Sequence, residues 1–367
     1  MKAQKLRVGI IGANVNYGWG TRAHIPAIKA QPELELTAVC TAHKETAEET
    51  AKAFGIPRAF HDYEALVEDR DVDIISVCVR VPRHEQMVMA ALRHGKHVFC
   101  EWPLGANSAQ AKEMAALAEA KGVRHMIGLQ ARGSPALNQM KELVEGGYVG
   151  NVVAVSMTSF NGGAGQRPAS GEWALDKANG VSALTIAGGH SLDALCFATG
   201  EIKEVAGVVS TQVKRASITG TDRVVSVTSP DNVLLAGRLE NGAVVSAHIA
   251  SVPALGTGFR LEVHGSEGTL VARSSGSAQI GELELLGARR GSAALAPVTV
   301  ESKYRWVPPE TPEGAPYNVG QMFHQMADAV TSKKPIAADF NLALRRHYLL
   351  DAIEASSQLG RRQELPR

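Results

Sequence analysis

The sequence lacks the features that would direct a chain to nucleic acid, a bilayer or an oxidising compartment. Its 38 Lys and Arg balance 37 Asp and Glu, and a net charge of +1 gives no field to steer it toward polyanions. No uninterrupted apolar run approaches the roughly 20 residues needed to cross a bilayer. The opening MKAQKLRVGIIGAN runs directly into a strand-like segment with no small-residue cleavage site, which argues against a signal peptide. Cysteine is scarce: Cys40, Cys78, Cys100 and Cys196 form no CxxC pair and keep no metal-ligand spacing with histidine. Three of them sit in or at the end of apolar runs, where a free thiol behaves as a small hydrophobe. Buried thiols in a reducing cytoplasm, and no metal site, are the expectation.

What is present is an ordinary globular composition, 45% hydrophobic and 20% charged over 367 residues. That length suggests about two domains with ample core, and the apolar content excludes extensive disorder. In the first third, short apolar runs alternate with helical patterns. Leu6–Ile11, Leu34–Cys40, Ile74–Val79, His97–Cys100 and His125–Leu129 read as strands. Helices are predicted over Thr21–Ala30, Lys44–Phe54, His84–Arg93 and Ala109–Lys121. Nearly continuous apolar strands separated by helices predict a doubly wound parallel sheet covered on both faces. A helix over Pro135–Glu145 follows, and after Asn151 the texture changes. Strands then cluster, with Asn241–Gly242 the clearest hairpin turn. One helix, Val181–Ala198, interrupts them, and two more, Val319–Thr331 and Leu342–Gln358, end the chain. The Ser- and Gly-rich stretch Arg273–Gly281 reads as an exposed loop. The expected fold is therefore α/β: a Rossmann domain over residues 1–131, then an α+β domain over 132–367 with a large, mostly antiparallel open sheet.

The loop after the first strand is Gly12-Ala13-Asn14-Val15-Asn16-Tyr17-Gly18-Trp19-Gly20. Backbone N–H groups at a helix start favour an anion, and a G-x-G-x-x-G loop there is the usual pyrophosphate fingerprint. Only the first glycine is in place. Asn14 holds the second position, and asparagine tolerates positive φ well enough to make the turn. An ordinary connecting loop is the alternative. At the end of the second strand an NAD-selective site usually carries a carboxylate for the ribose 2′-hydroxyl. This chain has Thr41-Ala42-His43-Lys44 and no acid before Glu45, a set that suits a 2′-phosphate. NADP(H) is expected in preference to NAD(H), unless Lys44 merely opens a solvated helix.

Several spaced segments then resemble the Gfo/Idh/MocA family over essentially the whole chain. They are RVGIIGAN, His24–Pro26, Asp73–His84 (DIISVCVRVPRH), His97–Pro103 (HVFCEWP), Gly128–Pro135 (GLQARGSP), Gly188-Gly189-His190 with Asp193, and Gly265–Leu270 (GSEGTL). The resemblance implies an N-terminal Rossmann domain and a C-terminal domain whose open sheet often forms an oligomer interface. It also implies NAD(P)-dependent oxidation or reduction of sugars, polyols or related carbonyl compounds. Two departures stand out. The family's Glu-Lys-Pro is Glu101-Trp102-Pro103 here, and an indole cannot exchange a proton at ordinary pH. The family's Asp one turn before the active-site His is Ile186. Both changes, with Asn14, Gly18-Trp19 and Asn161-Gly162-Gly163, are similar to the branch that includes the fungal repressor of the galactose regulon.

The resemblance implies His190 as the acid/base, since histidine titrates near neutrality; a structural helix histidine is the alternative. Asp193 reads as a helix-face partner. Trp102 is expected to stack on nicotinamide or a sugar ring, or to pack in the core. The cofactor set is Gly12, Asn14, Val15, Tyr17, Trp19, Thr41, His43, Lys44, Val79, Arg80, Pro82, His84, Glu101, Trp102 and Gln130; Arg80 also reads as a surface residue and His84 as a helix start. Asn161, Trp173, Tyr317 and His190, with Trp102, are the substrate-side candidates, whereas Trp306 reads as packing. Two functions follow: an oxidoreductase on a small sugar-like or carbonyl substrate, or a catalytically silent dinucleotide-responsive protein acting through a partner. A homo-oligomer through the C-terminal sheet is expected, with no nucleic-acid or membrane partner.

Overall fold

The computed structural model describes residues 5–366. The chain divides into two compact units, one of Met1–Gly133 with Arg305–Arg345, the other of Ser134–Tyr304 with Arg346–Arg367. The expected single cut after residue 131 therefore needs correction, because the chain returns to its first unit.

In the first unit, strands β1 (Leu6–Ile11), β2 (Leu34–Cys40), β3 (Arg58–Phe60), β4 (Ile74–Val77), β5 (His97–Glu101) and β6 (His125–Gly128) form one sheet in the order β3-β2-β1-β4-β5-β6. Every pairing is parallel. The connecting helices are α1 (Ile25–Ala30), α2 (Lys44–Phe54), α3 (Tyr63–Glu68), α4 (His84–Arg93) and α5 (Ser108–Lys121). Local chemistry sets their ends. Asn107 Oδ1 accepts the Gln110 N–H at 3.0 Å to cap α5, and Gly122 in the left-handed region stops it. The helix expected over Thr21–Ala30 is two pieces, a π turn over Gly20–His24 and then α1, with Pro26 inside the first turn of α1. The strand β3 and helix α3 carry too few residues to show a period.

The returning segment completes this unit. Its helix, α8 (Ala315–Ser332), is longer than Val319–Thr331, and it lays Phe323 on Phe99 of β5, centroids 4.6 Å apart. Gln321 is fully buried; its Oε1 accepts the Trp306 and Val307 N–H groups, and its Nε2 donates to the Gly133 carbonyl. The Ile127 N–H donates to the Ala338 carbonyl at 2.8 Å, so the outer edge of β6 is satisfied by this segment.

The second unit begins with α6 (Pro135–Glu145) and β7 (Val152–Asn161). After β8 (Gln166–Arg167) come α7 (Gly189–Thr199), β9 (Ile202–Ser210), β10 (Arg215–Ile218), β11 (Val224–Ser226), β12 (Asn232–Leu239) and β13 (Val244–Ser251). The strands β14 (Gly258–Gly265), β15 (Gly268–Ser274), β16 (Glu284–Arg289), β17 (Ala296–Pro297) and β18 (Gln363–Glu364) follow. The large sheet has nine strands in the order β17-β16-β15-β14-β7-β13-β12-β9-β18, antiparallel except for β7 with β13. A small sheet, β11-β10-β8, lies apart from it. Asn241–Gly242 makes the expected β12–β13 turn, with Gly242 at φ +90° and Asn241 Oδ1 accepting the Ala243 N–H. The stretch expected as an exposed loop, Arg273–Gly281, tucks in Ala278 and Gln279, which are 0% and 9% exposed.

The helix expected over Val181–Ala198 starts with a π turn, Ala183–Gly188, capped by Ser182, before α7 proper. The stretch Lys177–Thr199 is long and apolar enough to span a bilayer by length and composition alone, yet most of it is buried within the protein. Helix α7 is held by the final helix α9 (Phe340–Leu359), from which Arg346, 2% exposed, reaches Asp193 at 2.9 Å and both oxygens of Glu201 at 2.5 and 2.8 Å. All four cysteines are buried free thiols. Burial raises the Cys40 and Cys196 thiols to about 12, so neither is a thiolate at neutral pH.

Candidate functional site

The carboxyl ends of β1, β4, β5 and β6 share the crevice where parallel sheets bind ligands. Gly12 ends β1 at φ +96°. A Cβ there would meet Val79 Cγ1 at 2.7 Å and the Cys78 carbonyl carbon at 2.8 Å, so only glycine fits this turn. Asn14 does not adopt positive φ, contrary to the expectation; Lys333 is the one non-glycine residue that does among those described. The side chain makes the turn instead: Asn14 Oδ1 accepts the Asn16 N–H at 2.9 Å, and the Asn14 carbonyl accepts from the Tyr17 N–H and the Thr21 hydroxyl. The Val15 N–H is also engaged, donating to Thr50 of α2 at 3.0 Å. Tyr17 is 59% exposed, and Trp19 lies under the Arg22 guanidinium with its indole N–H buried and unanswered.

At the end of β2, the Thr41 hydroxyl is committed inward, to the His43 carbonyl and Thr46. His43 and Lys44 are exposed, and Lys44 lies 3.8 Å from Glu48. After β4, Val79 is half-buried, while Arg80 and Pro82 are exposed around a 3-10 turn. His84 is not placed to touch a ligand directly: it is 1% exposed, with Nδ1 2.8 Å from the Pro103 carbonyl and Nε2 3.0 Å from the Val79 carbonyl. It ties the loop after β4 to the loop after β5. Burial, outweighing those carbonyls, lowers its pKa.

Beneath these loops lies a network that sequence reasoning missed. His24, fully buried, places Nε2 2.6 Å from Glu101 Oε1 and Nδ1 2.9 Å from Ser76 Oγ. Gln130 Nε2 donates to both Glu101 oxygens at 2.9 and 2.7 Å, leaving Gln130 Oε1 buried without a donor. Gly128 gives Glu101 its room, since a Cβ would meet Glu101 Oε1 at 2.8 Å. Burial disfavours a charged His24, but the Cys78 sulfur and the Glu101 carboxylate overcome it and hold the ring up at about 10. Trp102, next along the chain, is 4% exposed. No sequence period links positions 24 and 101; only the parallel order of β1, β4 and β5 brings them together.

In the second unit His190 occupies the second position of α7 and is 6% exposed. Ile186, four residues earlier on the π turn, lines a cavity of about 290 Å³ with Asn161, Ser229, Asp231 and Ser251. Asn161 Oδ1 accepts from Ser277, and the Asp231 carboxylate accepts the Gln212 and Val213 N–H groups. Trp173 does not line this cavity, although its neighbours Ala174 and Leu175 do. Tyr317 belongs to the first unit, on the returning helix, with its hydroxyl 3.5 Å from Arg305. Trp306 is half-buried, and its backbone N–H donates to Gln321 Oε1. Asp193 serves Arg346. Among the described residues no group of three or more His, Cys, Asp or Glu is gathered to hold a metal ion.

The crevice suits a dinucleotide. The turn at Gly12 leaves no room for a side chain, and buried polar atoms wait unanswered on Trp19 and Gln130. Known proteins agree at the level of family. Residues 6–129 match the model of the oxidoreductase family with an NAD-binding Rossmann fold, and residues 135–274 match that of the Gal80p C-terminal domain. Dehydrogenase aclE of Aspergillus oryzae is 31% identical, over 73% of this chain and 76% of that protein. The galactose/lactose metabolism regulatory protein GAL80 of Saccharomyces cerevisiae is 28% identical, over 80% and 73%. Levoglucosan dehydrogenase of Pseudarthrobacter phenanthrenivorans is 27% identical over 73% of each. A solved structure of a Gal80p super-repressor mutant superposes with a TM-score of 0.87 at 22% identity, covering 98% of both chains. One of levoglucosan dehydrogenase with NADH and levoglucosan gives 0.86 at 23%, covering 99% of this chain and all of that one. At those identities the structural likeness speaks for the fold. The sequence matches reach further: this chain belongs to the Gfo/Idh/MocA oxidoreductase family, in the branch with a Gal80p-type C-terminal domain.

Proposed function

We propose that the chain is an oxidoreductase that moves a hydride between a nicotinamide dinucleotide, NADP(H) in preference to NAD(H), and a small sugar-like or carbonyl substrate. The observation that carries this reading is the crevice itself, where unanswered buried polar atoms follow β1 and β6 around the turn at Gly12. The preference for NADP(H) rests on exposed His43 and Lys44 with no carboxylate before Glu45; Thr41 contributes by shaping that loop. The dinucleotide would supply or accept the hydride. His190 would give or take the proton on the substrate oxygen, and Asn161 would help hold the substrate. Levoglucosan dehydrogenase and aclE, both named as dehydrogenases, support the class of reaction.

The test pairs titration of NADPH and NADH with a screen of sugars and ketones, followed by the absorbance of the reduced nicotinamide. Tighter NADPH binding and a substrate-dependent signal are expected, with His190→Ala lowering turnover at unchanged cofactor affinity. Equal turnover in that variant removes His190 from the mechanism, and tighter NADH binding overturns the cofactor preference.

A second reading has its own observation. On the family resemblance, Trp102 takes the lysine position and Ile186 the aspartate position, and the GAL80 relative is named a regulatory protein. A silent dinucleotide-responsive protein would bind NADP(H) yet turn over none of the panel. We also propose a homo-oligomer through the open face of the nine-stranded sheet. There Val208 and Leu234 face each other across β9 and β12, 59% and 50% exposed, with Val244 on β13 at 52%.

A further inference from the structure

We propose that His24 and Glu101 form a buried positioning pair that fixes the Glu101-Trp102-Pro103 segment against the dinucleotide, an inference that rests on the dinucleotide reading of the crevice. Its geometry joins elements from four places around the crevice. His24 ends the π turn that follows the Gly12 loop, Ser76 lies within β4, Glu101 closes β5, and Gln130 opens the turn after β6. One imidazole and one carboxylate therefore tie together the carboxyl ends of β4, β5 and β6.

The contacts accommodate a charged pair. Glu101 accepts at both oxygens, from His24 and Gln130, so it serves as a carboxylate acceptor. With both ring nitrogens protonated, His24 donates to Glu101 through Nε2 and to Ser76 Oγ through Nδ1. The Ser76 hydroxyl is then free to donate toward Cys78 Sγ at 3.5 Å. A neutral ring protonated at Nε2 would keep the Glu101 contact and take the Ser76 hydroxyl as donor at Nδ1, so the two forms differ in charge and in the direction of the Ser76 bond. Phe99 and Phe323 stand perpendicular to the imidazole at 5.2 and 5.4 Å and shut water out. The titratable groups facing His24 are Glu101 from β5 and Cys78 after β4, while the returning helix contributes the uncharged Phe323. A charged pair enclosed in this way is costly to leave half-made. Any shift of Glu101 is passed directly to Trp102, the next residue.

The decisive experiment follows NADPH binding across pH in the full-length protein and in Glu101→Gln, with thermal midpoints measured at each pH. The substituted amide can still accept from His24 through its oxygen, and Gln130 can turn its unanswered Oε1 toward the new NH₂ group, but His24 loses its counter-charge. The native affinity at each pH is the reference, because the dinucleotide's 2′-phosphate adds a pH dependence common to both proteins. The variant should match it near pH 6 and weaken by about tenfold as its histidine discharges toward pH 8. A variant-to-native ratio that is flat across pH overturns the proposal, whether the affinity is unchanged or uniformly lower with a lowered midpoint. If Glu101→Gln does not fold, the ¹⁵N resonances of the His24 ring in the native protein decide: two protonated nitrogens at neutral pH uphold the pair, a neutral ring refutes it. That spectrum needs no ligand. Should the native protein bind neither NADPH nor NADH, the dinucleotide reading falls and the spectrum still judges the pair.

Discussion

Arg346 offers the sharpest test of how the second unit is held. Its guanidinium, 2% exposed, is shared between Asp193, 0% exposed, and Glu201, whose side chain keeps 33% of its surface. Substituting Arg346→Met keeps most of the volume and apolar contact and removes only the charge and its hydrogen bonds. Glu201 can turn to water, so most of the penalty falls on Asp193, which has no path to solvent on α7. Breaking such a buried pair from one side costs about 3–5 kcal/mol. Urea unfolding followed by circular dichroism should show that loss as a lower midpoint at similar slope. The double variant Arg346→Met with Asp193→Asn should regain a large part of it, because the stranded charge is gone. A loss under about 1 kcal/mol in the single variant would refute the reasoning, as would a double variant that is no more stable than the single.

Three further outcomes are expected. Gly12→Ala puts a Cβ into Val79 and the Cys78 carbonyl at φ +96°; it should lose dinucleotide affinity and about 1–3 kcal/mol of stability, read by titration and thermal melting. His347 is 6% exposed, and burial lowers its pKa to about 4. The unfolded chain therefore binds the extra proton between about pH 6.5 and 4, and stability falls by about 3 kcal/mol as pH drops through that window. His347→Gln should flatten that slope in denaturation measured at several pH values, and an unchanged slope would exonerate the residue. Leu234→Glu on the open sheet face should shift the protein to a smaller species in analytical ultracentrifugation, with its melting temperature nearly unchanged.

The alternation of strand and helix in the first unit was legible because β1, β2 and β4 are apolar on both faces, which only a covered parallel sheet demands. The hairpin at Asn241–Gly242 was legible for a similar reason, since its residues suit one turn chemistry. Arg58–Phe60 was not, because three residues cannot display a period. The return of Arg305–Arg345 was hidden too: an amphipathic pattern reports that a helix has a buried stripe, never which sheet receives it. At the site, Gly12 could be read from its position, whereas Asn14 misled. Asparagine solves a turn either by its backbone or by its side chain, and here the side chain does so. His84 looked like a ligand contact since it follows a strand end, and its ring is spent on two carbonyls. The His24–Glu101 contact spans 77 positions and joins unlike elements, so no local signal announces it.

The edge of β6 has a bearing on synthesis. Its outer hydrogen bond waits for Ala338, the Phe99 ring waits for Phe323, and the carbonyl of Gly133 waits for Gln321. A nascent chain that has released its first 133 residues therefore holds a sheet with one bare side. The ribosome must deliver roughly 200 more before that side is closed, while domains ordinarily settle as they emerge. Until then the dinucleotide crevice is unfinished, and a fragment cut after the sixth strand would expose the same bare edge permanently.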